Sequence, residues 1–200
     1  MFDLKARIGS AQRLSLSIIT AHELEGVGMR EAIRLAWGTS SLGDFMVAMS
    51  EKGLVALEFD SYRATAEAAL RVRFPEADVV DGQSELAEVV EKVSRAIEQP
   101  GSDSGLPLDL RGTDYEVKVW TMLRSIPGGT TTSYGALAAE LGTRDARDVT
   151  AVIASNLIAV LVPCHRVVKK DGSISGYRWG VKRKRALLAR EQSLKGFSLE

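Results

Sequence analysis

The chain has a single cysteine, Cys164, among its 200 residues, and only two histidines, His22 and His165. One cysteine cannot close an intramolecular disulfide, and so few sulfur and imidazole ligands cannot assemble a structural zinc site. Net charge is missing too: 26 Lys and Arg balance 26 Asp and Glu, which by itself argues against an obligate nucleic-acid binder. No window approaches the roughly 18 apolar residues of a membrane span. The opening Met1-Phe2-Asp3-Leu4-Lys5-Ala6-Arg7 lacks the apolar core of a signal peptide. These absences lead to the expectation of a soluble protein of a reducing compartment, without membrane or metal, cytoplasmic in a bacterium and nuclear in a eukaryote. No dimerisation repeat is evident, so a monomer is expected.

What is present is enough apolar residue, 45%, for a real core in one large domain or two small ones. The charge is unevenly placed. From His165 to Arg190 there are nine Lys and Arg against one acid, Asp171, so this segment is +8 and the remainder −8. That asymmetry suggests a region facing an anionic partner, although Lys182 to Arg185 alone could equally be a solvated helix face.

Residues 1–33 show a short apolar group, Leu14, Leu16, Ile18 and Ile19, then a break at Gly26-Val27-Gly28, and receive no function; His22 is read as structural or exposed. From Leu35 the pattern is strand-like. Phe45 to Met49 and Leu54 to Phe59 read as a hairpin in which Gly53 supplies positive φ. Arg63 to Phe74 reads as a helix stopped before Pro75. Leu86, Val89, Val90, Val93 and Ile97 form one apolar helical stripe. Gln99 to Gly105 is linker-like in composition. Thr113-Asp114-Tyr115-Glu116 has the form of a capping box, and Pro127-Gly128-Gly129 ends the helix it opens. Ser133 caps a short helix that Gly142 terminates, and a further helix runs from about Asp145 to Ser155, a pattern compatible with a helix-turn-helix. The division expected is 1–33 extension, 34–99 small structural domain, 100–107 linker, and 108–200 catalytic domain.

The most informative stretch is Leu161-Val162-Pro163-Cys164-His165-Arg166-Val167-Val168. Proline restricts the backbone before the thiol, and β-branched neighbours suggest buried extended chain. His165 and Arg166 beside Cys164 are electropositive neighbours that would favour a thiolate nucleophile. Taken alone, a lone cysteine is more often a small core hydrophobe. The surroundings reverse that reading. Pro-Cys-His-Arg-Val-Val resembles the acceptor motif of the O6-alkylguanine-DNA alkyltransferase family. Thr132 to Ala138 resembles the first helix of that family's helix-turn-helix, Asn156 lies eight residues before Cys164, and Asp171 to Gly180 is similar to the family's bacterial adaptive-response branch. The clear match runs from about Leu108 to Glu191, with a weaker one over Leu35 to Phe74.

The resemblance implies an α+β fold: a small N-terminal domain of antiparallel sheet and helix, then a mostly helical domain carrying the helix-turn-helix and the Pro-Cys-His-Arg motif. It implies transfer of an alkyl group from O6 of guanine in double-stranded DNA to Cys164, without cofactor, once per molecule. His165 would take the thiol proton directly or through water, Glu191 would orient the imidazole, and Asn156 would tie the helix to the cysteine turn. Tyr134, Ala146, Arg147, Thr150 and Ala151 would meet DNA, with Arg147 filling the space of the extruded base. Pro163, Val167, Tyr177, Arg178 and Trp179 would line the pocket. The chain departs from the family where Asp145 and Asp148 flank Arg147 and a proline is absent from the preceding turn, which would weaken phosphate binding unless the acids point away. Rival readings are a lesion-sensing module without transfer, a helix-turn-helix regulator and a cysteine hydrolase. A transcription-activator role is disfavoured because no zinc-binding cysteine module is present.

Overall fold

The computed structural model describes residues 30–143 and 145–196. The short apolar group at Leu14 to Ile19, the break at Gly26 to Gly28, and His22 lie outside the described residues. Among the described residues no helix is long and apolar enough to cross a membrane.

The first half is a sheet covered on both faces. β1 (Glu31–Ser40), β2 (Gly43–Met49) and β3 (Leu54–Phe59) form an antiparallel meander, and β4 (Ala77–Asp81) joins the far side of β1 in parallel, giving the order β3-β2-β1-β4. The sheet is therefore mixed, not purely antiparallel as expected. Ala-Asp-Val-Val-Asp carries too few apolar residues to announce a strand, and it sits at an edge where few are needed. β1 also begins three residues ahead of the expected domain start, and Ile33 is fully buried. Helix α1 (Arg63–Arg73) stops at Phe74, before Pro75, and α2 (Ala87–Glu98) follows the apolar stripe.

Strand periodicity decides what each face buries. Ala36, Phe45, Val47, Leu57 and Phe59 point to one side, where Val93 and Ile97 of α2 pack. Ile33, Leu35, Trp37, Met46 and Ala48 point to the other, against Ala66, Leu70 and Phe74. Each fully buried large apolar side chain contributes about 1.5–3 kcal/mol. Gly53, at φ 150°, turns the hairpin so closely that a Cβ there would lie 2.6 Å from the carbonyl oxygen of Pro107.

The second half closes the exposed edge of β3. Leu54 N–H donates to Pro107 O and Asp109 N–H to Leu54 O, while Leu57 N–H donates to Leu157 O and Ala159 N–H to Leu57 O. Segments 107–109 and 157–159 thereby occupy backbone groups that would otherwise stay unpaired. This fixes the residues around Asn156 against the sheet. Helix α3 (Asp114–Ser125) starts with the expected capping box: Thr113 and Glu116 bond reciprocally. A short β5 (Thr132–Ser133) leads into α4 (Tyr134–Glu140), capped by Ser133. Gly142, at φ 77°, ends the turn before α5 (Ala146–Ala154), which is capped by Asp145. β6 (Val167–Val168) pairs in parallel with β5, and α6 (Val181–Gly196) closes the fold. Phe45, Leu54 and Leu57 share one core cluster with Val119, Trp120, Leu123, Ile158 and Leu187.

Candidate active site

Cys164 opens a single 3-10 turn, Cys164–Arg166, not the extended chain expected from its β-branched neighbours. The reason is local. Pro163 stands at φ −79°, ψ 58°, and its carbonyl accepts the N–H of Arg166 at 2.9 Å. The strand begins only at Val167.

Asn156 makes the approach to this turn. Its amide donates to Ile158 O at 3.1 Å, Val162 O at 3.2 Å and Cys164 Sγ at 3.4 Å, and its carbonyl accepts Ile158 N–H at 2.9 Å. A buried amide saturated in this way defines one geometry, because each group left unpaired would cost about 1–3 kcal/mol. The loop it spans contains Val160 at φ 63°, the one non-glycine residue with positive φ among the described residues. Ser155 is the C-cap of α5, directly before Asn156.

His165 and Arg166 both bond to Glu191, and neither is hydrogen-bonded to the sulfur among the described residues. His165 Nε2 bonds to Glu191 Oε1 at 2.9 Å, and Arg166 grips the same carboxylate through Nε and Nη2 at 2.8–3.2 Å. Gly129 N–H adds a fourth donor to Glu191, at 2.9 Å. Burial opposes ionisation of Glu191, but the bonds from His165 and Arg166 overcome it and hold its pKa at about 2. Burial lowers the His165 pKa, more than Glu191 raises it. Burial thus favours the neutral imidazole, in which a proton on Nε2 would be donated to the carboxylate. Nδ1 is left as a lone pair, buried and without a partner among the described residues.

The expected activation of Cys164 by its sequence neighbours is corrected by this geometry. The residue is 4% exposed, and burial pushes its thiol up to about 11, opposed by Asn156 and by the charges of Lys184 and Arg178. The resting sulfur is a thiol. Lys184, read from sequence as part of a basic surface, is fully buried and donates to Val167 O at 2.6 Å, Ser175 Oγ at 3.1 Å and Gly176 O at 3.4 Å. It ties the loop after β6 to β6 itself, next to the cysteine turn.

Half of the remaining basic residues are spent in the same way. Arg166 is buried on Glu191, Arg178 pairs with Glu58, Arg183 donates to Leu42 O and Trp179 O, and Arg190 donates to Ile97 O. Lys169, Lys170, Lys182 and Arg185 remain exposed. About half of the +8 asymmetry is thus internal bracing, which a charge count cannot distinguish from a binding face.

A cavity of about 480 Å³ opens onto Cys164. Helices α4 and α5 supply Tyr134, Thr150, Ile153 and Ala154, and the loop after β6 supplies Lys169, Ser175, Gly176, Tyr177 and Arg178. The Tyr134 hydroxyl bonds Ser175 Oγ at 2.7 Å, so the first short helix and the loop meet across the mouth. Of the expected pocket residues, Tyr177 and Arg178 line this cavity. Trp179 is buried behind it, edge-on to Tyr177 at 5.1 Å. Pro163 lines a separate cavity behind the turn, and Val167 is buried with its carbonyl on Lys184. Neither lines the cavity at Cys164. Ala146 is half-buried, and Thr150 and Ala151 are exposed on α5.

Arg147 is 91% exposed, but its guanidinium is bound by Asp145 through contacts of 2.8–3.1 Å. Asp148 acts on the same charge. Asp145 therefore holds Arg147 directly, while Asp148 acts on it only through its charge.

Two family models match the chain: the ribonuclease-like domain of 6-O-methylguanine DNA methyltransferase over residues 33–110, and the DNA-binding domain of the same family over 114–193. The chain is 41% identical over 174 residues to the bifunctional transcriptional activator/DNA repair enzyme Ada of Escherichia coli, covering 86% of this chain and 49% of that protein. It is 33% identical to the inducible methylated-DNA–protein-cysteine methyltransferase of Bacillus subtilis, covering 74% of this chain and 84% of that one. The chain spans about half the length of several curated relatives it matches. Among solved structures, Mycobacterium tuberculosis OGT in complex with DNA superposes with a TM-score of 0.63 at 32% identity, covering 80% of this chain and 93% of that one. On the two matched domains and these relatives, the chain belongs to the 6-O-methylguanine-DNA methyltransferase family.

Proposed function

We propose that this chain is a DNA repair protein that takes an O6-alkylguanine out of the duplex and moves the alkyl group irreversibly to Cys164. The observation that carries the proposal is the placement of Sγ on the wall of a cavity beside α4 and α5, with Asn156 on the sulfur and a neutral His165 oriented by Glu191. About 480 Å³ falls in the range of sites that hold a ligand of base size or larger.

A base inside a duplex cannot reach a buried sulfur, so the nucleotide must rotate out. Entry of the base past Tyr134 and Tyr177 excludes water from the cavity. The thiol passes its proton to the imidazole, with Nδ1 the free acceptor, directly or through one water. Glu191 stabilises the imidazolium that results. Lys184 and Arg178 favour the thiolate electrostatically. The thiolate attacks the alkyl carbon, the S–C bond forms as the C–O6 bond breaks, and the electron pair leaves on guanine, which is then protonated. No cofactor enters this balance. The thioether product has no good leaving group, so each molecule reacts once.

In this reading α4 and α5 act as a helix-turn-helix on double-stranded DNA, Tyr134 presses the neighbouring phosphate, and Arg147 fills the gap after leaving Asp145. Residues 34–99 serve as a structural domain, and 108–200 carry the chemistry beyond the 100–107 linker. The protein acts as a monomer in the cytoplasm, where thiols stay reduced. The test is stoichiometry: with excess alkylated duplex, loss of O6-methylguanine should stop at one equivalent per protein. Continuing turnover would indicate a hydrolase, and binding without loss a lesion sensor.

A further inference from the structure

The cavity at Cys164 has an asymmetric charge. Its lining contains two ionised side chains, Lys169 and Arg178, both basic, and no acid. The remaining wall is apolar or hydroxylic, with Ile153, Ala154, Gly176 and Tyr177 prominent. Lys184 lies behind the wall, its ammonium already occupied by three oxygens. Arg178 is different. Only its Nε is engaged, by Glu58 at 3.2 Å, and the two terminal nitrogens have no partner among the described residues. Its charge reaches the sulfur, so it also reaches whatever group is bonded to the atom the sulfur attacks.

We infer that the site selects among O6 adducts by charge, favouring an alkyl group that ends in a carboxylate, and that Arg178 is the residue that reads it. The inference rests on the transfer reaction proposed above and names a substrate class for the same cavity. A guanidinium with free terminal nitrogens offers a carboxylate two parallel donors, a geometry an ammonium cannot match. A cavity of about 480 Å³ leaves room for a base and an adduct longer than methyl. An anionic adduct repels the attacking thiolate, and a cation in the same cavity lowers that penalty, so the benefit grows in the transition state. The chemistry balances as for methyl: Sγ bonds to the methylene carbon, the C–O6 bond breaks with its pair going to guanine, and the product is S-carboxymethylcysteine. Glu58 tempers the effect by competing for Arg178.

The test compares single-turnover rates on two duplexes that differ only in the adduct: O6-carboxymethylguanine and its neutral, equally sized analogue O6-carbamoylmethylguanine. O6-methylguanine serves as the reference. The ratio of the first rate to the second cancels DNA affinity and adduct size. Arg178→Gln should lower that ratio about tenfold, and Glu58→Gln should raise it. A ratio unchanged by Arg178→Gln overturns charge selection. So does a protein that transfers methyl but neither larger group, leaving the transfer function itself standing. Failure to transfer even methyl would instead remove the underlying reaction.

Discussion

Glu191→Gln isolates the part of the site that depends on one buried charge. Four donor groups converge on this carboxylate: His165 Nε2, Arg166 Nε, Arg166 Nη2 and Gly129 N–H, at 2.8–3.2 Å. A glutamine has one amide oxygen for them, and its NH2 must face a donor, so Arg166 is left as a buried cation without its counter-charge. Removing one partner of a buried ion pair typically costs about 3–5 kcal/mol. The titration gives a similar magnitude: a fall from the ordinary 4.5 to about 2 corresponds to about 3 kcal/mol of stability. Because the folded pKa is depressed, that stability is fully present above the unfolded value and is lost as pH falls through about 2. Urea unfolding of both proteins should therefore show Glu191→Gln about 3 kcal/mol weaker at pH 6, with the gap closing steadily below about pH 4.5. A difference under about 1 kcal/mol, or one that stays constant from about pH 6 to pH 3, would refute the buried-charge argument.

Asn156→Ala strips Ile158, Val162 and Sγ of their shared partner; a loss of about 3 kcal/mol in urea unfolding and a slower single-turnover transfer are expected, and unchanged values would mean that the turn is held by packing alone. Free Cys164, with its thiol at about 11, should react with iodoacetamide about tenfold faster per pH unit between about pH 7 and 9; a plateau near neutrality would contradict burial as the controlling influence. Asp145→Asn should tighten duplex binding and steepen its salt dependence by about one phosphate contact, by releasing Arg147, and Asp148→Ala should tighten it as well. Slopes identical to wild type would show that Arg147 does not meet phosphate from this position.

Local signals in the sequence were read correctly where the cause was local. The Thr113–Glu116 box, the Ser133 cap, the Gly53 hairpin and the stop at Phe74 depend on residues within a few positions of each other, and each forms as its spacing implies. β4 escaped notice because an edge strand needs no continuous apolar run, and its register comes from β1, over forty residues away. The site divides the same way. Asn156, Cys164, His165 and Glu191 were singled out together through the family resemblance, and the fold brings all four to one place. Lys184 and Arg166 were seen only as charge. Nothing in a Lys-Arg-Lys-Arg run shows that one of the four points inward, since α6 must first pack on β6 before Val167 O becomes a partner for Lys184. Likewise, the thiolate expected beside His165 and Arg166 gives way to a thiol because Cys164 is buried, while both neighbours bond to Glu191, 25 and 26 residues downstream.

The central claim is covalent transfer to one named sulfur, and intact mass spectrometry tests it most directly. After mixing with excess duplex carrying O6-methylguanine, the protein should gain a single methyl, about 14 Da by formula arithmetic, and Cys164→Ala should gain nothing. An unmodified mass with the duplex still bound, or a gain that persists in Cys164→Ala, would contradict the account.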